Sequence, residues 1–163
     1  MAPETAALIF AIDAGGTATQ ALLGNLRGET FALVEGPAFN ARQMDRDRFR
    51  RLIVKLYRDG VNQADLYGKL PDIIAAGVAG AGGEEVQARL KGVIERRWPR
   101  CTVLVQHDAF IAHYGAFEGR PGVMVTAGTG SIAYGRNAEG AEARAGGWGW
   151  MLGDEGSAWW IGR

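Results

Sequence analysis

Cysteine is almost absent: Cys101 stands alone in 163 residues. One thiol cannot close an internal disulfide, nor build a Cys-based zinc or iron-sulfur site within one copy of the chain. It favours a reducing compartment, hence the cytoplasm. Net charge is missing too. Eighteen Lys and Arg balance eighteen Asp and Glu, so no net field gathers nucleic acid or an anionic membrane surface. The basic stretch Arg42 to Arg58 alternates with acids and apolar residues and reads as the wet face of a helix. The opening Met-Ala-Pro-Glu-Thr carries no basic residue, and the apolar run Ala6 to Ile12 is cut by Asp13. Neither a signal peptide nor a membrane span is expected. No Gly-x-x-x-x-Gly-Lys-[Ser/Thr] occurs, which excludes phosphate chemistry of the P-loop kind. His107 and His113 have no Cys, Asp or His partner at metal-ligand spacing and receive no role.

Glycine is plentiful, at 25 residues, clustered at the ends of apolar runs where tight turns and close approach to a ligand belong. With 47% apolar and 22% charged residues the chain is a folded globular protein, long enough for one ordinary domain.

Three short strands open it, Leu8 to Ile12, Ala21 to Asn25 and Phe31 to Val34, with connections short enough to make them antiparallel neighbours. Phe49, Leu52, Ile53, Leu56 and Tyr57 then recur at helical spacing in a segment opened by Asp45 and closed near Gly60. Strand and helix alternate next: Ile73 to Val78, a helix Glu84 to Arg97, Val103 to Val105, a helix Ala109 to Phe117. That alternation predicts crossover connections and parallel pairing. From Val123 the opening plan returns as strand, glycine-threonine loop, strand Ile132 to Tyr134, turn at Asn137 to Gly140, and a weak third strand. It is an internal repeat whose second copy stops at Arg163, so the expected organisation is a first lobe over residues 1–121 and the truncated start of a second over 122–163.

Two glycine-threonine hairpins in corresponding places suggest loops facing one another across a cleft, each offering N-H groups and a hydroxyl to phosphate oxygens. The run Gly77 to Gly83 imitates a dinucleotide loop. Its spacing misses Gly-x-Gly-x-x-Gly, and Glu84 and Glu85 occupy the helix N-terminus where a pyrophosphate would sit. Asp13 ends the first strand just before the first loop, a place for a carboxylate that holds hydrated Mg²⁺, or simply for the Asp of a hairpin turn. Asp108 follows a strand and precedes a helix; it can take a proton from an attacking hydroxyl or cap that helix. The segment Gly146 to Ser157 reads as a shaped loop. It offers Asp154 and Glu155 as polar groups and Trp148 or Trp150 as an aromatic plate for a small molecule such as a sugar, while Trp159 and Trp160 suit core packing.

Taken together, Ala11-Ile-Asp-Ala-Gly-Gly-Thr17, Gln106-His-Asp-Ala109, Val125-Thr-Ala-Gly-Thr-Gly-Ser-Ile-Ala-Tyr-Gly135 and Gly146-Gly-Trp-Gly-Trp-Met-Leu-Gly-Asp-Glu-Gly-Ser157 resemble the N-acetylglucosamine and glucosamine kinases of the BadF/BadG/BcrA/BcrD-type ATPase family. The resemblance runs over nearly the whole chain. It implies a ribonuclease H-like α/β fold of the actin and sugar-kinase type, with a β-β-β-α-β-α-β-α lobe followed by the first strands of a second. It implies ATP and Mg²⁺ as cofactors, with Asp13, Gly15, Gly16 and Thr17 in one phosphate loop, Gly128, Thr129 and Gly130 in the other, and Asp13 at the metal. Asp108 matches the catalytic base. Asn40, Asp108, Ser131, Ile132, Gly147, Trp148 and Asp154 match positions that hold the amino sugar. Ala14 stands where the family commonly has a further glycine, and the adenosine-binding part lies beyond Arg163, so a chain ending there is expected to bind ATP poorly.

The expected reaction is phosphoryl transfer from MgATP to a hydroxyl of N-acetylglucosamine or glucosamine, the 6-hydroxyl by resemblance. Two rivals are an ATP-driven activator of a reductase or dehydratase, which lacks cysteines here to bridge an iron-sulfur cluster, and a non-catalytic sugar-binding module. No nucleic-acid or membrane partner is expected. Apolar surface left by the missing half could drive association into a homodimer.

Overall fold

The computed structural model describes residues 7–42 and 45–163; the opening Met1 to Thr5, where no signal peptide is expected, lies outside the described residues. The chain divides into two compact units, one running to Asp108 and the other from Ala109 to Arg163.

The first unit is built on a five-stranded sheet. Leu8–Ala14 (β1), Ala18–Asn25 (β2) and Thr30–Pro37 (β3) form the expected antiparallel meander, and Ile73–Val78 (β4) and Thr102–His107 (β5) add in parallel beside β1, giving the order β3-β2-β1-β4-β5. The helices Arg46–Gln63 (α1) and Glu84–Arg97 (α2) supply the crossovers, and Asp108–Phe117 (α3) follows β5. Asp72 ties the start of the parallel strands together. Its carboxylate accepts from Leu8 N at 2.8 Å and its carbonyl accepts from Thr102 N at 2.8 Å.

Each element follows from its residues. Asp45 caps α1 by accepting from Arg48 N at 2.7 Å. Phe49, Leu52, Ile53, Leu56 and Tyr57 are buried, as their spacing requires. The opposite face of α1 is wet, carrying exposed pairs such as Lys55–Asp59. Gly60, however, does not end the helix: it lies inside it and is buried. A Cβ there would come within 2.9 Å of Leu23 Cδ1 on β2, so the glycine admits close packing of helix on sheet. Below α1 the rings of Phe10, Tyr57 and Trp98 meet edge to face at 5.2–6.4 Å. The Tyr57 hydroxyl donates to Lys69 O at 2.8 Å, and burial pushes the phenol up to about 12.

The second unit holds a three-stranded antiparallel sheet, Gly122–Ala127 (β6), Ser131–Arg136 (β7) and Glu142–Gly146 (β8), in the order β6-β7-β8, with a short helix Ala158–Ile161 (α4) capped by Ser157. Its meander repeats the plan of β1-β2-β3, as the sequence periodicity predicts. His113 is structural: it is buried, its Nε2 lies 3.0 Å from Gly122 O, and its ring packs on Phe117 and Tyr134. Trp159 and Trp160 are not core residues of these units. Trp159 remains 36% exposed and packs on Trp150, and Arg163 lies 3.5 Å from the Trp160 ring centre. A helix of one turn has too little apolar face to bury two indoles. Among the described residues no helix is long and apolar enough to cross a membrane.

Candidate active site

In the first unit the predicted residues gather at one end of the sheet. β1, β4 and β5 are parallel, and their register sets Ala14 beside Val78 and Val78 beside His107. Asp13 and Asp108 therefore stand at the C-terminal ends of β1 and β5 with β4 between them, at the edge where open α/β sheets bind ligands. α3 begins at Asp108 itself. The two carboxylates feel each other. Partial loss of water first, and the negative charge of Asp108 second, hold the Asp13 carboxyl above its ordinary value of 3.8.

Such a pair invites a cation. No cluster of three or more His, Cys, Asp or Glu able to grip a metal exists among the described residues. Two hard carboxylates, one of them short of water, fit Mg²⁺, which keeps most of its own water and needs few protein ligands.

The first hairpin, Gly15, Gly16 and Thr17, closes through Gly15 N donating to Ala18 O at 2.9 Å. Asn40 stands next to it. Phe39 N donates to Gly15 O at 3.0 Å and Ala41 N to Ala79 O at 2.8 Å, which pins the loop after β3 across the ends of β1 and β4. The Asn40 Oδ1 accepts from Arg42 N at 3.0 Å, which leaves its amide N-H groups to act as donors. Beneath it lies Gly80, with φ of 79°; any side chain there would run into Asn40 Oδ1. Gly80 belongs to the run that imitates a dinucleotide loop, and its place here is to make room for Asn40. The α2 N-terminus behind it has Glu84 and Glu85 in its first turn and no capping side chain.

The second unit gathers the remaining candidates round the hairpin Gly128, Thr129 and Gly130. Gly128 N donates to Gly130 O at 2.9 Å, and Ala158 N donates back to Gly128 O at 2.8 Å. The glycine-rich loop after β8 folds onto this hairpin. Gly147 N donates to Ser131 O at 2.9 Å, and the Ser131 hydroxyl donates to Glu155 O at 2.8 Å. Ile132 packs under Gly147. Asp154 is 7% exposed and has φ of 64°, a strained backbone for a non-glycine residue. Its carboxylate leans on Gly130, where a Cβ would sit 2.8 Å from Oδ2. Trp148 is 57% exposed, its ring 5.2 Å from the Arg144 guanidinium, whereas Trp150 is engaged with Trp159.

Sequence reasoning missed two residues of this neighbourhood. Arg42 reads as the first cation of a wet helix, yet it precedes α1 and lies against Gly80. Gly80 carries no sign of its duty except a glycine two residues past a buried strand.

This fold, a strand meander with parallel strand-helix units and a second meander, is that of the actin-like sugar kinases. A protein from Chromobacterium violaceum, provisionally assigned as an N-acetylglucosamine kinase, superposes with a TM-score of 0.83 at 27% identity over 96% of this chain and 54% of that one. A ROK family glucokinase from Streptomyces griseus shares the fold more distantly, at a TM-score of 0.58 and 21% identity. The chain belongs to the BadF/BadG/BcrA/BcrD ATPase family, whose sequence model matches residues 11–163. It is 35% identical to the N-acetylmuramic acid/N-acetylglucosamine kinase of Clostridium acetobutylicum over 94% of its own length and 50% of that protein's. It is 27% identical to the N-acetyl-D-glucosamine kinase of Dictyostelium discoideum over 95% and 51%. The chain thus spans about half the length of the curated relatives it matches.

Proposed function

We propose that the protein transfers the γ-phosphoryl group of ATP to a hydroxyl of an amino sugar, N-acetylglucosamine or glucosamine, at the 6-position. The observation that carries this reading is the pair Asp13 and Asp108 at the C-terminal ends of β1 and β5, one strand apart, beside a glycine-threonine hairpin, in a chain of an ATPase family. Asp108 takes the proton of the sugar hydroxyl as its oxygen attacks the γ-phosphorus and the bond to ADP breaks. Asp13 would hold Mg²⁺ through water, and the ion would supply positive charge for the phosphate oxygens. Gly15 and Gly128 spend their N-H groups on closing the two hairpins and let the phosphates approach, while the backbone N-H groups of Gly16 and Gly130 and the hydroxyls of Thr17 and Thr129 bind phosphate oxygens. Asn40, Ser131, Ile132, Gly147, Trp148 and Asp154 orient the sugar, the indole against its C-H face and the polar groups on its hydroxyls.

The free thiol of Cys101 supports work in the cytoplasm, and apolar side chains exposed on β6 support a homodimer. Incubation with MgATP and N-acetylglucosamine, followed by phosphorus-proton correlation spectroscopy of the product, tests the reaction. Coupling of the new phosphorus to the C6 protons is the expected result. Phosphorus on another carbon defeats the positional assignment, and no sugar phosphate at all defeats the kinase.

A further inference from the structure

Thr19 is a fully buried hydroxyl in a strand whose next inward positions, Ala21 and Leu23, are apolar. Packing alone would be served there by Val, which has the same branched shape and no polar atom to desolvate. The hydroxyl has one use in the structure: it donates to Pro37 O at 2.8 Å. Pro37 is the last residue of β3, where the chain leaves the sheet for the loop that carries Asn40. In the ladder Thr19 stands between Ala14 of β1 and Gly36 of β3. Gly36 is pressed onto α1, since a Cβ there would meet Leu56 Cδ2 at 3.0 Å and Leu52 Cδ1 at 3.1 Å.

Two residues past Pro37, the Phe39 ring is buried against Phe49, with centroids 4.9 Å apart, and its N-H donates to Gly15 O at 3.0 Å. Gly15 thereby spends both backbone groups: its N-H closes the hairpin on Ala18 O at 2.9 Å, and its carbonyl holds the Asn40 loop. Beyond Asn40 the loop is tied again, by Ala41 N to Ala79 O at 2.8 Å and by Arg89 Nη2 to Ala41 O at 3.3 Å. The stretch from Thr19 through Pro37 and Phe39 to Gly15 is thus one closed run of contacts joining the phosphate hairpin to Asn40.

Resting on the amino-sugar kinase reading, in which Gly16 and Thr17 meet phosphate and Asn40 meets the sugar, we propose that Thr19 is a positioning residue coupling the two ligands. It touches neither. By fixing the end of β3 it holds Phe39 on the Gly15 carbonyl, so that nucleotide and sugar favour one arrangement of the same backbone. A ligand that orders one loop then leaves less ordering for the other ligand to supply.

Calorimetry of N-acetylglucosamine with and without saturating MgADP tests this. In the parent protein MgADP is expected to tighten the sugar by roughly 5-fold or more, the lower end of ordinary coupling between sites. Thr19→Val keeps the shape and removes the donor. It is expected to cut that factor by roughly 2- to 10-fold, the range of one neutral hydrogen bond. Thr19→Ser, which keeps the donor, is expected to retain the parent's factor. Should the Val variant not fold, Thr19→Ala against Thr19→Ser carries the same contrast. A merely structural hydroxyl lowers the melting temperature and leaves the factor where it was, which overturns the proposal. A parent whose sugar affinity ignores MgADP overturns it too, as does a Ser variant that loses as much coupling as Val. Binding of neither ligand sinks the amino-sugar kinase reading itself, whereas sugar and MgADP bound independently sink this proposal alone.

Discussion

Asp108 is the first residue of α3, directly after β5, and on the proposed reading its carboxylate serves chemistry as well as the helix start. Asn retains the hydrogen-bonding oxygen needed at a helix start and loses the basicity. Asp108→Asn is therefore expected to keep the melting temperature and to lower kcat by roughly 10²-fold or more. Near-full activity in Asn, with Ala unfolding the unit, would leave the cap as its whole role. Asp13 gives a pH signature. Its folded value lies above 3.8, so between 3.8 and that raised value the folded state holds more proton than the unfolded one, and stability falls as pH rises through the window. Above it the penalty is fully present. Asp13→Asn should raise the melting temperature slightly at neutral pH and flatten the profile, and Mg²⁺ should raise it in the parent but not in the variant; thermal scans against pH and MgCl₂ decide. At Gly130 the constraint is spatial. Gly130→Ala puts a methyl 2.8 Å from the Asp154 carboxylate and is expected to weaken sugar binding about tenfold, the scale of one good hydrogen bond to a charged group.

At the scale of elements, α1 shows which effect wins when propensity and packing disagree. Gly60→Ala gains about 0.5–1 kcal/mol of helix propensity and sets a Cβ 2.9 Å from Leu23 Cδ1. Leu23 is 1% exposed, so it has little room to yield, and overpacking costs about 1–3 kcal/mol. A net loss of about 1 kcal/mol, a melting temperature lower by about 2–4 °C, is expected; an unchanged or higher value would mean that Leu23 repacks freely. The same residue marks where local reading fails. Glycine is a helix stop by composition, and only the distant partner on β2 reveals it as a contact. Where the cause is local, the bounds were legible: Asp45 opens α1, and Ile73–Val78 and Glu84–Arg97 stand where apolar spacing and flanking glycines put them. Strand ends were less so. β3 continues to Pro37 and β7 to Arg136 because β2 and β6 pair that far, and pairing leaves no mark on one strand's sequence.

Over the whole molecule the repeat of two meanders was written in the sequence as two glycine-threonine loops between apolar runs. The clustering of candidates was not. Asn40 on Gly80 and Asp154 on Gly130 join residues far apart in the chain, and no period or spacing announces such pairs. Val123 and Val125 on β6 are 71% and 75% exposed, along a sheet edge. An apolar edge of that kind drives association. Sedimentation is expected to show a dimer that Val125→Lys dissociates, and a monomer at every concentration would refute the homodimer. The kinase reading is tested most directly by ADP release, followed with and without N-acetylglucosamine in the parent protein and in Asp108→Asn. Sugar-dependent release in the parent, reduced at least 10²-fold in the variant, is the predicted result. Release that ignores the sugar, or that the variant matches, would contradict it.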